Sequence, residues 1–189
     1  MTFFRIFSAI ALLLVISSSC TVITTTKVPG KQSSKFPKKM LGKFELVYPS
    51  ELEAYMTEAD KIEVEIKQKQ LTTFDSKGEH TLALGDSVYF SKIGKDFYLS
   101  LQAAQSFHVF KVQYSGKNIE LYSMAPQSGV EGLEQYCEKI ENEDLDGNGE
   151  IDDDESLGMF LKVTIKDAEI AKYFKSDIPI KTPFLLKRK

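Results

Sequence analysis

Between Lys61 and Lys69 the chain alternates. Ile62, Val64 and Ile66 take one face, and Glu63, Glu65 and Lys67 take the other. A period of two marks a strand in a sheet with one apolar and one wet face. The pattern recurs in short runs split by turn residues. Phe44, Leu46 and Tyr48 form one run, stopped by Pro49. Ser87 to Ile93 and Asp96 to Leu101 flank Gly94-Lys95 as a hairpin, with Phe97, Leu99 and Leu101 pointing one way. Phe107 to Tyr114 and Asn118 to Met124 flank Ser115-Gly116-Lys117 as a second hairpin. Asp75-Ser76-Lys77-Gly78 is a turn signal, and Glu51 to Ala59 reads as a helical turn or loop. Met159 to Ile165 alternates again, Asp167 to Ser176 carries helical spacing before Pro179, and Pro183 to Leu186 reads as a short closing strand. About eight strands joined by tight turns predict a mainly β fold: an up-and-down barrel or half-barrel, which removes exposed sheet edges. Composition supports a core, with 42% hydrophobic residues.

The first residues read as an export signal. Ile6 to Ile16 is almost wholly apolar, follows Arg5, and is too short to span a bilayer. Ser17, Ser18 and Ser19 then lead to Cys20. This segment resembles a bacterial lipoprotein signal. The resemblance implies cleavage before Cys20, acylation of its sulfur and anchorage of the protein to a membrane. That family prefers an aliphatic residue where Ser17 stands. A plain secretory signal cut near Ser19, or an uncut anchor, are the alternatives. Thr21, rather than Asp, after the cysteine leans towards the outer membrane by the same resemblance. Acylation of Cys20 would leave Cys137 as a lone thiol.

Residues 20–39 read as a flexible tether, rich in Thr, Ser, Lys, Pro and Gly. Lys27, Lys31, Lys35, Lys38 and Lys39 occur there with no acid among them. Such a run is either a solvated linker or a feature drawn to anionic lipid. The remainder, 40–189, reads as one β-rich domain with an insertion at about 130–158.

That insertion is chemically the sharpest part of the chain. Residues 131 to 155 hold twelve acids and one base, whereas the whole chain has a net charge of only -3. The balance of the whole argues against nucleic-acid binding. Asp144-Leu145-Asp146-Gly147-Asn148-Gly149-Glu150-Ile151-Asp152-Asp153-Asp154-Glu155 reads D-x-D-x-N-G-x-I-D-x-x-E. It resembles an EF-hand calcium loop across all twelve positions. The resemblance implies side-chain oxygens from Asp144, Asp146 and Asn148, the backbone carbonyl of Glu150, Asp152 directly or through water, and both carboxylate oxygens of Glu155. Gly149 takes the sharp-turn position and Ile151 the apolar one. Leu133, Tyr136, Cys137 and Ile140 fall at i, i+3, i+4 and i+7, predicting an amphipathic helix into the loop. Asp152 and Glu155 are spaced as a capping pair for a short outgoing helix. EF-hands of the sensor type come in pairs, and no second such run occurs in this chain.

Catalytic signatures do not appear. His80 reads as a turn residue beside Glu79, and His108 as a sheet-surface residue between Phe107 and Val109. Neither has a Cys, Asp or His at metal-ligand spacing. No nucleophile elbow, zinc-protease pair, P-loop or dinucleotide fingerprint occurs. A carboxylate pair of the glycosidase kind needs no local motif, so a hydrolase stays open as a third reading. Phe90, Phe97, Tyr98, Phe107, Phe110, Tyr114 and Tyr122 form either plain core or the lining of an apolar pocket. The strand–helix–strand order at the C-terminus and Gly42-Lys43-Phe44 resemble lipocalin-like proteins, although that family places Trp where Phe44 stands. The resemblance implies a binder of a small apolar ligand. The first expectation is a calcium-binding, lipid-anchored envelope protein with a structural or interaction role and no catalysis.

Overall fold

The computed structural model describes residues 21–49, 61–103, 105–126, 131–142 and 159–189. The export signal, Cys20 and the whole stretch Asp144 to Glu155 lie outside the described residues, as do Glu51 to Ala59.

The strands are β1 (Thr21–Thr25), β2 (Lys31–Gln32), β3 (Gly42–Val47), β4 (Glu63–Lys67), β5 (Gln70–Asp75), β6 (Gly78–Ala83), β7 (Val88–Ile93), β8 (Asp96–Ala103), β9 (Ser106–Ser115), β10 (Asn118–Ser123), β11 (Cys137–Asn142), β12 (Met159–Ile165) and β13 (Phe184–Arg188). One α-helix, α1 (Asp167–Tyr173), stands among the described residues. The fold is mainly β, and ten strands form a strongly curled half-barrel in the order β11-β12-β1-β9-β10-β13-β3-β4-β5-β6. β1 and β12 run parallel, whereas the other neighbours are antiparallel.

The sheet forks at β9. One edge pairs with β8 from Phe97↔Val112 to Ala103↔Ser106. The other edge pairs with β10 over Phe110 to Ser115, and with β1 at Thr25↔Phe107. Alternation along β8 and β9 therefore serves two cores. Leu99, Phe110 and Val112 face the inside of the curl, with Phe44, Val64, Ile66, Ile119 and Leu186. Tyr98 and Val109 face the opposite way, onto Ile23, Leu161, Val163, Ile165 and α1. A seven-residue helix is marginal alone. α1 is held by Ile170 and Tyr173, both buried, and by the Tyr173 hydroxyl donating to the Met124 carbonyl at 2.6 Å.

Three expectations are corrected. Residues 21–39 are not a tether. Ile23, Thr24 and Thr25 are buried in β1, where β-branched side chains suit a pleated surface, and Phe36 and Met40 reach the main core. Residues 133–140 are not a helix. Leu133–Gln135 is a single 3₁₀ turn, and Cys137–Asn142 is a strand on β12. The helical period would still leave one face to bury, and Ile140 is 37% exposed; the ladder with β12 satisfies the backbone instead. The strands number more than eight because β1, β2, β5, β6 and β11 carry little apolar alternation. In β6, for example, only Leu82 is buried.

Candidate functional site

The stretch 143–158 joins β11 to β12 in sequence, so the candidate calcium ligands follow a strand rather than the expected entry helix. β12 is fixed by its inward residues: Leu161, Val163 and Ile165 are all buried beneath α1. β1 locks its other edge, from Thr21↔Met159 to Thr25↔Val163, and Thr26 N donates to the Val163 carbonyl at 3.0 Å. β11 pairs from Cys137↔Ile165 to Asn142↔Leu161, with a bulge between Cys137 and Lys139. Strand neighbours lie about 4.8 Å apart, so the chain leaves β11 and re-enters β12 at closely spaced points.

The parallel register of β1 and β12 has a further consequence. Thr21 and Met159 are partners, so both strands start at the same end of the sheet. Cys20 immediately precedes one of them, and Glu155 lies four residues before the other. The two chemically marked stretches of the sequence thus join the described fold at one end.

Around the base of the hairpin the charge is acidic but partly paired. Lys139 Nζ contacts Glu141 at 2.6 Å and Lys166 Nζ contacts Glu138 at 2.8 Å, all on exposed side chains. Such pairs add little stability. Cys137 is half-buried, and burial together with the nearby Glu134 pushes its thiol up to about 11. It therefore stays protonated at neutral pH and is a poor nucleophile. Tyr136 packs edge-on against Tyr173 with centroids 5.6 Å apart, tying the hairpin base to the second core.

The other candidate residues scatter. The aromatics do not line one pocket. Phe110 borders an apolar cleft of about 80 Å³ inside the curl, with Leu46, Ile62, Leu71, Leu101 and Leu186. Phe90 and Phe97 border a different hollow, Tyr98 belongs to the second core, and Phe107 packs on Tyr89. His108 is buried rather than at a sheet surface, because its parity on β9 matches that of Phe110 and Val112. Desolvation lowers its pKa to about 4, so it is neutral. His80 sits in β6, not a turn, with Nε2 3.8 Å from Asp75. Sequence reading missed the group of Ser91, Tyr98 and Asp167, whose Oγ, hydroxyl and Oδ1 are buried without partners among the described residues. Only the register shows that Ser91 and Tyr98 stand opposite each other. Burial, Asp96 and Asp167 all raise the Tyr98 pKa, which keeps the phenol neutral.

Among the described residues no cluster of three or more His, Cys, Asp or Glu side chains could hold a metal ion. No helix among them is long and apolar enough to cross a membrane. No protein-family model, curated protein or solved structure matches the chain.

Proposed function

We propose that this is a calcium-binding, lipid-anchored protein of the cell envelope, in which the metal braces the β11–β12 connection and the role is structural or interaction-based. The observation that carries the reading is the complete oxygen-donor set of residues 144 to 155 in the connection of a hairpin whose strands are partnered to its last residues. The donors are all hard oxygens, which suit Ca²⁺ and leave no place for a softer metal. Asp144, Asp146, Asn148, Asp152 and Glu155 would hold the ion by side chains and Glu150 by its carbonyl. When bound, the cation neutralises carboxylates that otherwise repel one another. Cys20 would carry the lipid. A lipid on Cys20 would then share one end of the β1–β12 pair with the calcium stretch, and the braced connection would face the membrane; the parallel register supports this reading.

Two variants test the reading. Cys20→Ser should move the protein from the membrane fraction to the soluble envelope fraction. Asp144→Ala with Glu155→Gln should abolish any calcium-dependent change in melting while leaving fractionation untouched. Retention of Cys20→Ser in the membrane sinks the anchor, and an unchanged calcium response sinks the metal.

The apolar cleft inside the curl favours a second reading, a carrier of a small apolar ligand. Its volume of about 80 Å³ is well below the roughly 300–1,000 Å³ of ordinary ligand sites. Stoichiometric binding of a fluorescent fatty acid, lost on Leu101→Phe, would favour the carrier over the structural role.

A further inference from the structure

A second hollow, of about 520 Å³, opens where residues 31–41 cross the β7–β8 hairpin. Its rim carries Lys31, Lys35, Lys38 and Lys92, its floor includes Phe90 and Phe97, and no carboxylate lines it. Among the described residues none of these four lysines has an acidic partner within ion-pair distance.

The backbone that presents them is fixed. β2 pairs with β7, Ser33 N donates to the Phe90 carbonyl at 2.8 Å, and Phe36 N donates to the Gln68 carbonyl at 2.9 Å. Phe36 is buried against Phe90, centroids 5.9 Å apart. Gly30, at φ 69°, lets the segment lie against β7, because a Cβ there would run into the backbone of Lys92. The lysines thus stand on a built wall.

The register then sets like charges face to face. Lys31 and Lys92 are direct cross-strand partners, an arrangement that destabilises an antiparallel pair. Lys92 Nζ sits 5.4 Å above the Phe97 ring, and that ring stacks on Phe90 at 5.6 Å and 14°. The cation–π contact offsets only part of the repulsion. A ligand anion would offset the rest. Four ammonium groups suit a group of more than one charge, and a phosphate monoester carries close to two at neutral pH, with three acceptor oxygens. Lysine serves such groups as a point charge.

We propose that this hollow is a binding site for a phosphate monoester, the phosphate held between Lys31 and Lys92 and the body of the ligand lying against Phe97. The proposal is independent of the calcium and lipid readings.

Amide NMR of the full chain in zwitterionic micelles tests it. Glycerol 1-phosphate, at constant ionic strength, should give saturable shifts at residues 31–35 and 90–93. Micelles doped with a phosphatidic acid should do the same if the source is a lipid headgroup; shifts from the soluble ester alone point to a free ligand. Lys31→Gln with Lys92→Gln should weaken binding at least tenfold, whereas Lys117→Gln, in the β9–β10 turn, should not. Lys92→Glu should abolish binding and raise the melting temperature of the ligand-free protein by pairing with Lys31. Absence of shifts from either probe, equal shifts from sodium chloride, or undiminished binding by the double variant would overturn the proposal.

Discussion

Arg188 occupies the space that a side chain on residue 42 would need. Gly42 has φ 141°, a region that side chains rarely adopt, and its bareness lets the last strand, β13, clasp β3. The Arg188 guanidinium donates to the carbonyls of Leu41 and Lys39, both at 2.9 Å, and to that of Lys117 at 3.1 Å through Nε. It also lies 4.6 Å over the Phe44 ring. These bonds hold the turn that seats Met40 in the core. Gly42→Ala should therefore cost roughly 2–3 kcal/mol in urea unfolding. Combining it with Arg188→Ala should cost less than the sum of the two single changes, because the second removes the clash created by the first.

Phe36 and Met40 pin residues 31–40 to the core, so the segment should behave as packed structure. Phe36→Ala should destabilise by about 3–5 kcal/mol in the same measurement, the usual range for a buried Phe. A loss below about 1 kcal/mol, the range of a surface change, would mean that the segment is a tether after all.

Acid should unfold the protein partly through His108. Its folded pKa of about 4 lies below the ordinary value of 6.5, so the unfolded chain takes up the proton first as pH falls. The contribution to stability is intact above pH 6.5 and is lost progressively down to about pH 4, by roughly 3 kcal/mol at most. His108→Leu should flatten the melting-temperature profile between those limits. A wild-type profile that is equally flat contradicts the burial.

The half-barrel was legible wherever one strand face was uniformly apolar. Ile62, Val64 and Ile66 all enter the main core as their alternation required. The hairpins around Gly94-Lys95 and Gly116-Lys117 and the strand Met159–Ile165 also stand where local pattern placed them. What was not legible depends on distant partners. Leu133 to Ile140 carries i, i+3, i+4, i+7 spacing, but β12 lies beside Cys137–Asn142 and wins. Thr21–Thr25 looks like linker until its parallel partner is known. Of the candidate site, the spacing of the proposed ligands is a local feature of the sequence. The shared end of β1 and β12, and the opposition of Lys31 and Lys92, are properties of register, which no single run of residues encodes.

Calcium titration of the full chain by calorimetry, with melting followed in calcium and in chelator, tests the central claim most directly. The account predicts one site with Kd of about 10⁻⁴–10⁻³ M, as in extracellular modules, lost in Asp144→Ala with Glu155→Gln. At free calcium ten times Kd the fold should gain about 1.4 kcal/mol and melt roughly 3–5 °C higher. No binding heat up to millimolar calcium, together with a melting point indifferent to chelator, would contradict it.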